Sequence, residues 1–187
     1  MATVLNLRPL TRSLTREQFI RLCRSNPDLQ LERSSQGDLV IVTPVGGESG
    51  NREARLITKV GIWNEQTRLG YVFSSSTIFS LPNGGDRSPD VAWVAKSRWE
   101  ALSPNERETF PPICPDFVIE LRSRRDKLPP LQDKMQEYLT SGLRLGWLMN
   151  PQDQRVEIYR PDRAVETVNL PATLFGETVL PGFELAL

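Results

Sequence analysis

"CPDFVIELRSRRDK" occupies residues 114–127. Phe117, Val118, Ile119 and Leu121 form a short apolar run rich in β-formers, which predicts a buried β-strand. Glu120 interrupts that run with a carboxylate. An ionisable group in a strand core is costly unless something pairs with it. Side chains alternate along a strand, so Val118, Glu120 and Arg122 are expected on one face. The fold must therefore give that strand a polar site as well as an apolar core.

The neighbouring segments supply the rest of the frame. Downstream, "LPPLQDKMQEYLTSG" (128–142) reads as a helix with Gly142 near its C-terminal end, and "LRLGWLMNP" and "QRVEIYRP" as strands around an "NPQD" turn. Upstream, "LTREQF" (14–19) carries a capping box, Thr15 with Gln18, and a hydrophobic staple, Leu14 with Phe19. "LQLER" and "LVIVTP" flank a Gly-containing turn and predict a hairpin. The stretch 46–70 reads as a long helix along Ala54, Ile57, Val60 and Trp63 or Asn64, although Gly61 sits inside it. "YVFSSSTIFSL" predicts one or two strands, "PNGGDRSPD" a loop, "DVAWVA" a strand, and "SPNERETF" (103–110) a short capped helix. The tail, 161–187, reads as irregular strands and loops closing the core. The order predicts a mixed α/β domain around one sheet, spanning 1–187, not repeated βαβ units. Its parts are an N-terminal helix and hairpin (1–45), a core (46–160) and a tail (161–187).

Composition excludes several chemistries. There are 23 Lys plus Arg and 23 Asp plus Glu among 187 residues, so no basic coat for nucleic acid exists, though a local positive groove can. The chain has no histidine. Ser-His and Cys-His pairs, HExxH zinc sites and histidine-metal nucleases are therefore out, leaving carboxylates, Lys, Tyr, Cys and water. Cys23 and Cys114 form no CxxC and read as reduced thiols of a cytoplasmic protein. The start, with Arg8 and Arg12, has no apolar h-region, and no apolar run reaches spanning length.

Asp90, just after Pro89 at the start of a strand, is the second carboxylate of interest. Two carboxylates on neighbouring strands make a hard oxygen site suited to Mg²⁺ or Mn²⁺. A reacting phosphate then needs a cationic side chain. Arg122 is available on the strand, and Lys134 on the following helix, where it shares a face with Tyr138 at i+4. Taken singly, each has a plainer reading. Pro-Asp is a common turn dipeptide, Glu120 could pair with a buried arginine, and Lys134 and Tyr138 could be surface residues.

"SPDVAWV", "PDFVIELRSRRD" and "LQDKMQEYLTSGLRLGWLMNPQDQRVEIYRP" together resemble the Uma-type endonuclease family, a domain of unknown function in the restriction-endonuclease-like PD-(D/E)xK superfamily. The resemblance runs from about residue 29 to Pro161 and is strongest over 115–161. It implies a mixed central sheet flanked by helices, Mg²⁺- or Mn²⁺-dependent hydrolysis of DNA, and a homodimer for two-strand cleavage. Asp90 and Glu120 match the two acidic metal ligands. The superfamily lysine falls at position 122, where this chain has arginine, which cannot deprotonate water. Lys134 matches the lysine that the Uma-type pattern keeps on the next helix, with Arg122 as a helper against phosphate. Glu48 or Glu53 matches a further acid on the first core helix, and Asn51 stands where family patterns often have histidine. The Gly cluster at 46–50 lacks a GK[ST] ending and reads as a helix entry, not a phosphate loop. Two rivals follow from the same residues: a nuclease fold with weak or lost activity that binds nucleic acid or regulates, and a structural α/β domain whose charges pair internally.

Overall fold

In the computed structural model, residues 13–187 are described in full and residues 2–5 by their backbone; Arg8 and Arg12 lie outside the described residues. The elements run in order as β1 (Ala2–Leu5), α1 (Arg16–Ser25), β2 (Gln30–Arg33), β3 (Leu39–Val42), α2 (Gly47–Thr67) and β4 (Gly70–Ser74). There follow β5 (Phe79–Ser80), β6 (Asp86–Arg87), β7 (Val91–Ala95), α3 (Lys96–Glu100), α4 (Pro104–Glu108) and β8 (Phe117–Leu121). The chain continues through α5 (Leu128–Thr140), β9 (Leu145–Asn150), β10 (Arg155–Tyr159), β11 (Glu166–Asn169), β12 (Thr173–Phe175) and β13 (Glu184–Ala186).

Local chemistry explains several boundaries. The Thr15 side chain accepts from the Gln18 amide at 3.2 Å while Gln18 accepts from the Thr15 amide at 2.9 Å, so α1 starts on a closed capping box. Ser103 and Glu106 start α4 in the same way. Gly142, with φ +101°, takes the left-handed conformation that ends α5 after Ser141. α2 continues through Gly61 because tertiary packing of Leu56, Val60 and Trp63 outweighs one poor helix former.

The strands do not form the one sheet that the order predicts. They form a five-stranded sheet, β1-β3-β2-β6-β5, a six-stranded sheet, β11-β10-β9-β8-β7-β4, and the two-stranded β12-β13. "YVFSSSTIFSL" is divided between the two larger sheets, with β4 on the edge of one and β5 on the edge of the other. The six-stranded sheet is mixed: β8 and β9 are parallel, linked through α5, and its other neighbours are antiparallel. One face of this sheet, with Phe117, Ile119, Leu121 and Trp147, packs on α2 and on Leu174, Leu180 and Phe183 of the tail. The other, with Ala92, Val94 and Val118, packs on Met135 and Tyr138 of α5. A Cβ at Gly146 would run into Met135 Cε, so α5 rides close on β9. That approach presses Lys134 and Tyr138 of α5 toward the C-terminal end of β8.

Candidate active site

The register of β7 on β8 decides where the two carboxylates meet. Val91 pairs with Ile119 and Ala92 with Val118. Continued by one pair, that register sets Asp90 opposite Glu120, on the same face. Asp90 also accepts a hydrogen bond from the Leu121 amide at 2.6 Å, which fixes its carboxylate at the end of β8. A second Pro-Asp, Pro115-Asp116, does different work at the opposite end of β8. Asp116 is buried and accepts from the Ala95 amide at 2.8 Å, with Arg98 at 3.0 Å and Arg144 at 3.4 Å.

Glu120 is only 3% exposed. It accepts from the Tyr138 hydroxyl at 3.0 Å and pairs with Lys134 Nζ at 2.8 Å. The spacing of Lys134 and Tyr138 along α5 thus brings both to one carboxylate. The Lys134 ammonium makes two further contacts, to Glu32 Oε1 at 2.8 Å and to the Ser88 carbonyl at 3.0 Å. Glu32 comes from the other sheet. It also accepts from the Ser88 amide at 3.0 Å and from Arg87 at 3.1 Å, and Arg87 reaches Glu137 at 2.7 Å. Local pattern hides Glu32. In "LQLER" it alternates with Leu31 and reads as solvent-facing, yet it is buried against residues 55 to 102 positions away.

Asp90, Glu120, Lys134, Glu32, Arg87 and Glu137 line a cleft of about 620 Å³ between the β2–β3 hairpin and the β8–α5 junction. Glu53 lines it too and accepts from the Ser75 hydroxyl at 2.6 Å. Glu48 and Asn51 are exposed, and neither lines the cleft. Arg122 is not in the cleft either, contrary to strand alternation. β8 stops at Leu121, the chain turns, and Arg122 bonds to the Asp126 carbonyl at 3.1 Å, Asn150 at 3.1 Å and Asp153 at 3.4 Å. Arg125 and Lys127, two exposed residues of the same turn, line the cleft instead.

The electrostatics are those of a negative site held by two buried cations, Lys134 and Arg87. Burial raises the Asp90 carboxyl well above its ordinary value, and the charges of Glu120 and Glu53 raise it further. Burial also raises Glu120, against the pull of Lys134. Burial pushes Glu32 the same way, but Lys134 and Arg87 outweigh it and its carboxyl lies below the usual range. Burial disfavours the Lys134 ammonium, yet Glu120 and Glu32 hold its pKa above the ordinary lysine value. Two facing carboxylates whose protons are hard to remove are relieved by a proton or a cation. Their oxygens are hard donors of the kind Mg²⁺ and Mn²⁺ take, so the donor set fits such an ion. Among the described residues no group of three or more His, Cys, Asp and Glu is gathered to hold a metal. The fit is therefore for an ion that keeps several waters, as Mg²⁺ does.

The chain matches the sequence profile of the family Uma2, described as "Putative restriction endonuclease", over residues 16–187. The chain belongs to the Uma2 family. One solved structure, a protein of Anabaena variabilis described as "a putative nuclease belonging to DUF820", superposes with a TM-score of 0.80 at 20% identity. The match covers 92% of this Uma2 chain and 94% of the other. At that identity the likeness establishes the fold: a mixed sheet flanked by helices, shared with a nuclease-like protein. No curated protein matches. Among the described residues of this Uma2 protein, no helix is long and apolar enough to cross a membrane.

Proposed function

We propose that this Uma2 protein is a divalent-metal-dependent endonuclease acting on DNA, with the site at Asp90, Glu120 and Lys134. The observation that carries the reading is the meeting of Asp90 and Glu120 at the end of β8, with Lys134 2.8 Å from Glu120. Asp90 and Glu120 would hold the ion, with Glu53 close enough in the cleft to add charge. When bound, Mg²⁺ or Mn²⁺ supplies Lewis-acid polarisation of a phosphoryl oxygen and a lowered pKa for water. Tyr138 and Lys134 hold the Glu120 carboxylate in one orientation. Lys134 stays charged beside two carboxylates, so it contributes positive charge and does not act as a base. Exposed Arg125 and Lys127 give the cleft mouth a positive edge for phosphates flanking the cut. Cleavage of both strands would call for two copies of the site, hence a homodimer.

One observation favours a second reading, a nuclease fold that binds nucleic acid without cutting. All three N–H donors of Lys134 are used within the protein, by Glu32, Glu120 and the Ser88 carbonyl. Nicking of supercoiled plasmid in Mg²⁺ or Mn²⁺ separates the two. The nuclease reading expects nicking by wild type. It expects a loss on the order of 100-fold or more in Glu120→Gln, which keeps an acceptor for Tyr138 but removes the charge. Binding without metal-dependent nicking would support the second reading. Arg122→Ala is expected to leave nicking close to wild type and to lower stability by about 1 kcal/mol, because its side-chain partners, Asn150 and Asp153, lie outside the cleft. Loss of nicking in Arg122→Ala, with Glu120→Gln unaffected, would move the chemistry away from the cleft.

A further inference from the structure

Glu32 belongs to the five-stranded sheet, while Glu120 and Lys134 belong to the six-stranded sheet and its helix, and Asp90 immediately precedes β7 of that sheet. Glu32 is nevertheless 2% exposed and shares the Lys134 ammonium with Glu120, each at 2.8 Å. Its other bonds fix it firmly: the Ser88 amide at 3.0 Å and Arg87 at 3.1 Å. Ser88 lies two residues before Asp90, so Glu32 grips both the lysine and the segment that delivers the first carboxylate.

We infer that Glu32 is a positioning residue of the cleft, acting through Lys134. It draws part of the ammonium's charge away from Glu120 and so leaves Asp90 and Glu120 with the negative charge a divalent cation needs. The hairpin is thereby part of the site and not only a wall of it. This rests on the metal-site reading above. With Glu32 neutral, the ammonium would serve Glu120 alone and compete with a metal for it. With both Glu32 and Lys134 neutral, the competitor is gone. Removing the lysine as well must therefore reverse the effect of neutralising Glu32, which would not happen if the glutamate were merely structural.

The test uses the full chain and Mg²⁺ or Mn²⁺ alone, read as the metal concentration giving half-maximal thermal stabilisation, with plasmid nicking alongside. Glu32→Gln keeps an acceptor for Lys134 and the Ser88 amide while losing the charge. Its midpoint should rise about tenfold, the scale of one unit charge removed nearby at an effective dielectric of about 20. In Glu32→Gln/Lys134→Met the midpoint should return to the wild-type value or fall below it. Should Glu32→Gln alone fail to fold, the double variant decides by itself: a midpoint above wild type overturns the inference. Midpoints within about twofold of wild type in both variants, or raised in both, also overturn it. If wild type shows neither metal stabilisation nor nicking, the metal-site reading falls and this inference with it. If wild type shows both and the variants do not diverge, only the role of Glu32 falls.

Discussion

Lys134→Met should cost the metal-free protein about 3–5 kcal/mol, a fall in Tm on the order of 10 °C for a chain of this length. The sequence alone suggests a milder outcome, since a lysine on an amphipathic helix is ordinarily removed without harm to the fold. The structure gives the reason for the larger effect. Lys134 is buried, and its ammonium is shared by Glu32 and Glu120, both buried as well. Methionine fills similar volume, so the loss would come from Glu120 left without its cation and Glu32 left with Arg87 alone, and not from a cavity. Its direction with pH follows from the same contacts. Lys134 has a folded pKa above its ordinary value, so its contribution is in place at neutral pH and is lost only as pH rises through that value. Urea or thermal unfolding in EDTA at neutral pH measures it. A variant as stable as wild type would mean that the lysine is not what balances the pair. Loss of nicking by this variant would be uninformative without that measurement, because a destabilised fold also stops cutting.

Much of this arrangement was legible because its causes are local. The two capping boxes, the apolar run of β8 and the Gly142 stop each depend on a few adjacent residues. Glu120 is singled out by the apolar run around it, whereas Asp90, in one of four Pro-Asp dipeptides, is picked out by the resemblance to the Uma-type pattern. What stayed hidden depends on distant pairing. Asp86 reads as loop, yet it is fully buried in the two-residue strand β6, paired to Arg33 at 2.8 Å and Arg16 at 3.1 Å. Glu32 reads as a solvent-facing hairpin residue, because alternation cannot say that a second layer covers that face. Arg122 shows the converse error. Alternation carries a side chain to the expected face only while the strand lasts, and β8 ends one residue too soon. Likewise the single sheet expected from element order becomes two, since nothing in "YVFSSSTIFSL" marks where the chain leaves one sheet for the other.

Asp90→Asn should leave the metal-free protein at least as stable as wild type at neutral pH, by up to roughly 1–3 kcal/mol, and should remove its response to Mg²⁺. Asparagine keeps an acceptor for the Leu121 amide, so the backbone contact survives while the charge facing Glu120 goes. The pH dependence identifies the cause. Burial first, and then Glu120, raise the Asp90 carboxyl well above its ordinary value. A group raised in this way binds its proton more tightly folded than unfolded. Its contribution is present below the unfolded carboxylate pKa and is lost as pH rises through the folded value. Wild type should therefore fall behind the variant progressively from about pH 4 upward, and the two should converge below it. Millimolar Mg²⁺ should reverse the order, because wild type gains about 1.4 kcal/mol for each tenfold excess of the ion over its dissociation constant and the variant gains little. An aspartate that merely capped the β8 terminus would behave otherwise. Its replacement would destabilise at every pH above the carboxylate range, with no metal response in wild type to lose. Melting curves of both proteins in EDTA and in Mg²⁺, from pH 4 to pH 8, distinguish these outcomes. A destabilised variant beside a metal-indifferent wild type would assign Asp90 to the fold and leave the cleft without its metal.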